Sequence, residues 1–278
     1  MGSSAAGRLL VAFTLVLVTG CSVEVTTPEG EELSASDDLL VVGDWGAGTS
    51  SQEEFAAAMD AYGDEHEVAA ILTTGDNFYT DAADELMKPF AWTIDADIPF
   101  LITWGNHDIE SENRVELVND TFDDPPRWVR HEWGPVDIVI LDSTQLEDAR
   151  QLDFLAQALN ADDPTIVVFH HPPYSCGAHG GTPGMDAWVD AFDDDVFVVL
   201  SGHEHNYQRF ETDGVSYVVT GGGGATLTEL VDCPADHPDQ LAGEETFHFM
   251  VLELDDTLEA TAIDADGDVI DEFSVELP

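Results

Sequence analysis

Five short segments of this 278-residue chain carry side chains suited to binding cations and moving protons. They are Gly43-Asp44-Trp45-Gly46, Gly75-Asp76-Asn77-Phe78-Tyr79, Gly105-Asn106-His107-Asp108, Phe169-His170-His171-Pro172 and Gly202-His203-Glu204-His205. The donors they offer are carboxylates, an amide and imidazoles. Hard oxygen mixed with imidazole suits iron, zinc or manganese rather than a thiolate site. Singly, each segment is weak. A Gly-Asp after a strand is ordinarily a turn, a lone His ordinarily packs or lies exposed, and Asn106 alone would be a turn residue. The signal is five such pieces in one chain, each after an apolar run. Ligand sites in sheet proteins gather at the carboxyl ends of strands. Glycine beside the polar residues permits the sharp exit and close backbone approach.

Those apolar runs are the elements that must position the donors. Residues 39–42, 68–73, 98–103, 165–169 and 196–200 read as buried strands. Residues 52–62 read as a helix, with Phe55, Met59 and Tyr62 at helical spacing, and another helix is expected around 83–92. Residues 146–159 give the clearest helical pattern, with Leu152, Leu155 and Leu159 on one face. Residues 128–133 and 136–141 flank Gly134-Pro135 as a hairpin or as adjacent strands. Residues 215–220, 247–254, 258–263 and 269–275 read as strands joined by tight turns. Strand–helix alternation with extra strands predicts two packed sheets flanked by helices, with one core and no internal repeat.

The chain has 58 acidic side chains against 7 basic ones, a formal net charge of −51, and Lys88 is its one lysine. Such a surface repels phosphate backbones and excludes nucleic-acid binding. A hydrophobic content of 44% with 9% aromatics argues against disorder. Acid excess with almost no lysine suits life in concentrated salt, where repulsion is screened. An acidic secreted protein of ordinary habitat is the other reading, and both stay open. Arg8 followed by the apolar run 9–18 has the grammar of a secretory signal. The run is about half the ~20 residues that a membrane span needs. Val18-Thr19-Gly20-Cys21 resembles the lipobox of bacterial-type lipoproteins. It predicts a signal peptide over 1–20, a lipid on Cys21 and an exported, envelope-bound protein; plain secretion is the alternative. Residues 21–37 are acidic and contain Pro and Gly, and they read as a flexible tether before a domain over 38–278. With Cys21 so used, Cys176 and Cys233 remain as a pair. An envelope location permits a disulfide between their Gly/Pro-rich loops, against the alternative of two thiols.

In order and type, the five segments resemble the calcineurin-like metallophosphoesterase superfamily. Its pattern is an Asp-containing first motif, Gly-Asp, Gly-Asn-His-Asp/Glu, a lone His and Gly-His-x-His. The likeness runs from residue 39 to 224. Most of the superfamily has Asp-x-His first; here Gly46 stands two after Asp44, and Tyr79 follows Asp76 by three. That exchange resembles the purple acid phosphatases. His179-Gly180 and the lack of a large N-terminal β domain are similar to their small, tartrate-resistant type. The resemblance implies an α/β fold (α+β by some schemes) of four layers, two mixed sheets packed as a sandwich and flanked by helices, as the catalytic domain.

Matched to the motifs, Asp44, Asp76, Tyr79 and His205 are implied to hold a first metal. Asp76, Asn106, His170 and His203 are implied to hold a second, with Asp76 as the bridge. A phenolate ligand implies Fe3+ first, beside a divalent ion, Fe2+, Zn2+ or Mn2+. His107 is implied as proton donor to the leaving oxygen, and His179 as its helper or a phosphate contact. The implied reaction is hydrolysis of a small phosphomonoester by a metal-bound hydroxide. Two metals ~3.5–4 Å apart suit that slow reaction, clamping attacking and leaving oxygens. Few arginines leave charge neutralisation to the metals. A phosphodiesterase or nucleotide hydrolase, and a phosphate- or metal-binding lipoprotein without turnover, are the alternatives. Residues 110–127 and 175–185 are the loops expected to choose the substrate.

Pro172 places His170, rather than His171, in the ligand role. His66, His131, His237 and His248 lack motif context and read as structural or exposed. Asp264-Ala265-Asp266-Gly267-Asp268 lacks the later Glu of a calcium loop and reads as a hairpin turn. Gly221–Gly224 resembles a Gly-rich turn near the family's active site. Trp45, Trp104 and Trp133 read as packing residues.

Overall fold

The computed structural model describes residues 28–278 except 160–162, 193–194 and 236. The expected signal peptide over 1–20 and the expected lipid on Cys21 fall on residues outside those described. Along the chain come β1 (Glu29–Leu33), β2 (Asp38–Val42), α1 (Ser50–Gly63), β3 (Val68–Thr73), α2 (Ala83–Leu86), α3 (Ala91–Asp95) and β4 (Phe100–Leu101). Next are α4 (Glu112–Phe122), β5 (Val129–Trp133), β6 (Val136–Ile140), α5 (Ala149–Ala158), β7 (Thr165–Val168), α6 (Asp186–Val189) and β8 (Val196–Ser201). Six strands complete the chain: β9 (Tyr207–Thr212), β10 (Val215–Thr220), β11 (Gln240–Glu244), β12 (His248–Leu254), β13 (Thr257–Asp264) and β14 (Val269–Glu276).

The strands form two mixed sheets, ordered β1-β5-β6-β7-β8-β10-β9-β11 and β14-β13-β12-β2-β3-β4. The pattern of each strand explains the layering. Leu39 and Val41 of β2 join Ile138, Ile166, Val168 and Leu200 in a core between the sheets. Leu40 and Val42 face the other way, into a core shared with α1 residues Phe55, Ala56 and Met59. Val139, Val167 and Val199 do the same on the far side, against Phe154 and Leu155 of α5. Strands buried on both faces therefore read as continuous apolar runs. Each such side chain stabilises by about 1.5–3 kcal/mol when fully buried. Four layers result, as the motif resemblance implied. Among the described residues, no helix is long and apolar enough to cross a membrane.

Five expectations need correction, one of them the loop over 110–127, most of which is the helix α4, capped by Ser111. Strand β1 falls inside the expected tether: it pairs parallel with β5, Glu29 opposite Arg130 and Leu33 opposite Trp133. Only Leu33 of β1 is buried, so its sequence shows an acidic edge and no apolar alternation. The helix expected around 83–92 breaks into α2, a 3-10 turn (Lys88–Phe90) and α3. Pro89 has no N–H for a continuous helix. The strand expected over 98–103 shortens to β4. On α5 the buried residues are Gln151, Phe154, Leu155 and Ala158, while Leu152 is exposed. Gln151 takes the inward place because its amide accepts from Asp142 N (2.6 Å) and donates to Asp142 O (3.1 Å) and Gln145 O (3.0 Å).

The expected disulfide is present between Cys176 and Cys233. Trp45, Trp104 and Trp133 are all buried. The Asp266-Gly267 turn joins the antiparallel β13 and β14.

Candidate metal centre

Both sheets deliver ligands to one crevice. Asp44 follows β2, Asp76 and Tyr79 follow β3, and Asn106 and His107 follow β4, all from the six-stranded sheet. His170 follows β7, and His203 and His205 follow β8, from the eight-stranded sheet. Asp44, Asp76 and His203 hold left-handed backbone, at φ of 57°, 51° and 69°. That conformation costs a non-glycine residue about 1–2 kcal/mol. Here it aims the side chains back across the strand ends. Asp44 Oδ2 accepts from His203 N (2.9 Å), and Asp76 Oδ1 accepts from His107 N (2.7 Å). Gly75, at φ +96°, has no room for a side chain: a Cβ would lie 2.6 Å from His170 Nδ1.

The remaining donor atoms fall into two groups that share Asp76. Tyr79 Oη lies 2.9 Å from Asp44 Oδ1, 3.2 Å from Asp76 Oδ2 and 3.0 Å from His205 Nε2. His205 Nε2 is also 3.3 Å from Asp44 Oδ1. In the second group, Asn106 Oδ1 lies 3.1 Å from both His170 Nε2 and His203 Nδ1. His170 Nε2 is 3.3 Å from Asp76 Oδ2. Backbone carbonyls orient two of the imidazoles: Thr74 O meets His170 Nδ1 at 2.9 Å, and Thr226 O meets His205 Nδ1 at 2.6 Å. These contacts leave each Nε2 as the inward atom, the arrangement typical of ligating histidines. His171 turns elsewhere, its Nδ1 2.8 Å from Ser143 Oγ, although it clusters with His170 and His203 closely enough to share a metal.

The chemistry of this donor set fits a cation. Asp44 and Asp76 are 0% and 1% exposed. Among the described residues, neither pairs with an arginine or lysine. Buried carboxylates need a partner charge or a metal. Burial and the carboxylates of Asp44 and Asp76 push the Tyr79 phenol far above its ordinary range. Burial opposes charge on His170, yet the Asp76 carboxylate beside it pushes that histidine up to about 10. His205 is likewise pushed up to about 9 by Asp44 despite its burial. Burial, with the neighbouring His170 and His171, pushes His203 down to about 3. The carboxylates of Asp44 and Asp76 thus favour positive charge among these donors, which is the charge a bound cation would bring.

Likeness to known proteins follows the same residues. The calcineurin-like phosphoesterase family model matches residues 38–207, more than half of the chain. The chain belongs to the calcineurin-like phosphoesterase family. This phosphoesterase is 24% identical over 262 residues to Purple acid phosphatase 4 of Arabidopsis thaliana, with 77% of each chain covered. It is 34% identical over 161 residues to the "Probable cyclic nucleotide phosphodiesterase" of Rhodococcus erythropolis, covering 49% of this chain and 51% of that protein. Among solved structures, it shares its fold with a purple acid phosphatase from yellow lupin seeds, at a TM-score of 0.68 and 18% identity. That match spans 90% of this chain and 55% of the lupin chain. GAP50 of the Plasmodium inner membrane complex has the same fold, also at 0.68 and 18%, over 87% of this chain and 89% of its own.

The two histidines expected to act on substrate flank the donor groups of the phosphoesterase. The His107 ring lies 4.4 Å from the Tyr79 ring, with Nε2 4.0 Å from Asp76 Oδ2 and Nδ1 3.3 Å from Glu110 Oε2. The His179 ring lies 4.9 Å from the His203 ring.

Sequence reasoning missed three residues that hold the site together. Asp108, fully buried, accepts from Asn77 N (2.9 Å), Asn77 Nδ2 (2.8 Å), Phe78 N (3.2 Å) and Gly105 N (2.9 Å). It ties the exits of β3 and β4 together. Burial and the nearby Asp76 push its carboxyl up to about 7. Arg114 donates from Nη1 to Phe78 O and from Nη2 to Tyr79 O, both at 2.6 Å. Glu204 sits between the ligand-type histidines and touches neither donor group. Asp108 was visible as the last residue of its motif. Arg114 gives no signal, because the thin apolar stripe of α4 reads as a loop.

Proposed function

We propose that this crevice is a two-cation centre for phosphate-ester hydrolysis, resembling purple acid phosphatases and acting on phosphomonoesters. The observation that carries the reading is the place of Asp76. Its Oδ2 lies 3.2 Å from Tyr79 Oη and 3.3 Å from His170 Nε2, so one carboxylate faces both donor groups. Asp44, Asp76, Tyr79 and His205 would hold the first ion; Asp76, Asn106, His170 and His203 would hold the second. The Tyr79 phenol favours Fe3+ in the first place, with Fe2+, Zn2+ or Mn2+ in the second. Such a pair supplies Lewis acidity and lowers the pKa of a coordinated water. The chain's own part is orientation and proton supply. Glu110 beside Nδ1 leaves His107 Nε2 as the atom that hands a proton to the leaving oxygen. His179 contacts the phosphoryl group from the opposite side.

The deciding test is the visible spectrum of the protein loaded with iron and a divalent metal. A charge-transfer band that disappears in Tyr79→Phe is expected. A band that survives the substitution removes Tyr79 from the metal and with it the purple-acid-phosphatase reading. His107→Ala is expected to slow esters with poor leaving groups about 10²-fold more than those with good ones. Equal slowing of both defeats the proton-donor role.

The stretch similar to the Rhodococcus protein favours a second reading, hydrolysis of phosphodiesters at the same site. The ratio of kcat/KM for a diester over a monoester with the same leaving group separates the two. We also propose export and attachment to the cell envelope through a lipid on Cys21. Mass spectrometry of the mature N-terminus tests this: an unmodified Cys21 defeats it.

A further inference from the structure

One buried carboxylate near the crevice belongs to neither donor group. Glu204 is 0% exposed. Its Oε1 accepts from two successive backbone groups, His179 N (2.5 Å) and Gly180 N (3.0 Å). Its Oε2 accepts from Thr228 Oγ1 (3.0 Å) and lies 3.3 Å from His179 Nδ1. The loop packs directly on this carboxylate: a Cβ on Gly177 would lie 2.3 Å from Glu204 Cδ. Side chains at alternate positions extend the same support. Gln208 Oε1 accepts from Cys176 N (2.6 Å), and Gln208 Nε2 donates to Ser175 Oγ (3.0 Å) and Asn206 Oδ1 (2.8 Å). Asn206 Nδ2 in turn donates to Thr228 O (3.2 Å). The far edge of the loop is fixed by the Cys176–Cys233 disulfide and by Val231 N donating to Cys176 O (2.7 Å).

We propose that Glu204 is the positioning residue for His179. While His203 and His205 point to the donor groups, the residue between them grips the loop opposite. It fixes the backbone of residues 179 and 180 and engages His179 Nδ1, which leaves Nε2 as the ring atom free for a phosphate oxygen. Hydrogen bonds to a buried anion are shorter and about twice as strong as neutral ones. The His179 side chain, half exposed, is thereby held with its ring beside that of His203. This role rests on the reading of the crevice as a phosphate-ester site. Glu204 itself does not touch the substrate.

The experiment compares the full protein with Glu204→Ala, Glu204→Gln, His179→Ala and the Glu204→Ala/His179→Ala double variant. Four quantities are read: bound metal, amide hydrogen exchange of residues 177–181, inhibition by inorganic phosphate, and KM against kcat for a phosphomonoester. In Glu204→Ala, exchange at 177–181 is expected to quicken about tenfold or more, the scale on which losing buried hydrogen bonds opens a segment. KM and the phosphate inhibition constant are expected to rise together by about tenfold, with bound metal unchanged. Adding His179→Ala to Glu204→Ala is expected to change KM by less than about twofold, because both remove one interaction. Glu204→Gln keeps an acceptor for the two N–H groups at the same size, so it should restore most of the exchange protection. Additive effects, unchanged exchange, or loss of metal in Glu204→Ala would each overturn the proposal. The last would mean that Glu204 serves His203 and His205 instead. A parent protein that hydrolyses no ester defeats the hydrolase reading, while the exchange measurement still judges the grip of Glu204 on the loop.

Discussion

Two loops border the crevice, and opposite charges hold them. The loop after β3 is gripped through its carbonyls: Arg114 of α4 donates to Phe78 O and Tyr79 O. The loop carrying His179 is gripped through its N–H groups by the Glu204 carboxylate. Arg114 works from the rim, where its Nε also meets Asp81, a residue 64% exposed in its side chain. Glu204 works from a site without exposure. The difference teaches how backbone polarity chooses the holder. Where a turn directs carbonyls at its support, the support must be a donor; where it directs amides, the support must be an acceptor. An acidic chain has acceptors everywhere and only 7 basic side chains. Replacing Arg114 therefore removes something that no neighbour can supply, whereas the loop of Glu204 has further fastenings.

Those fastenings set the order of expected effects. Removing the disulfide with Cys176→Ser/Cys233→Ser should be the largest, about 2–4 kcal/mol of stability by denaturant unfolding. It should quicken amide exchange at 177–181 and leave residues 78–81 protected. Equal loosening of both loops would break the comparison. Arg114→Ala comes next, at about 1–3 kcal/mol, because two carbonyls lose their donor. In the iron-loaded protein it should also weaken the charge-transfer band proposed for Tyr79, which the disulfide variant should spare. Arg114→Lys should recover only part, since an ammonium lacks the fork that spans two carbonyls. An unchanged band in Arg114→Ala would show that the Tyr79 loop stands without its cation. Smallest is Asp81→Asn, about 0.2–1 kcal/mol at low ionic strength, vanishing near 1 M salt as the exposed pair is screened. A loss that persists in salt would place Asp81 with the buried partners rather than on the rim.

The site was legible because its residues follow buried strands. A run such as Val196–Ser201 announces both the element and the place where chemistry begins. The less legible elements lack that contrast. β1 buries only Leu33, so five residues of an eight-stranded sheet looked like acidic linker. α4 buries only Val118 fully and starts from a Ser111 cap, with a left-handed Asp123 at its end. Its apolar stripe is thin, so neither the helix nor the arginine it carries stands out in the sequence. Gln151 displaced Leu152 from the expected inner face of α5, because two loop carbonyls and an amide needed partners more than the core needed another leucine. Glu204 was hidden by rhythm. It occupies the variable position of a motif read for its histidines, and only the folded loop at 177–180 reveals what it meets.

The small edge strand β1 also sets how load would enter the molecule. Glu29 stands opposite Arg130, Arg130 opposite Val139, and Val139 opposite Val167, three residues before His170. The chain therefore joins the sheet at the end where the crevice opens. A pull on residue 28 runs along the strand axis, so the β1–β5 hydrogen bonds resist together in shear instead of peeling one by one. Arg130 acts as a rivet across that seam, contacting Glu29 (3.6 Å), Glu132 (2.6 Å) and Asp137 (3.0 Å). A leash attached there would turn the open face of the crevice toward whatever holds the leash.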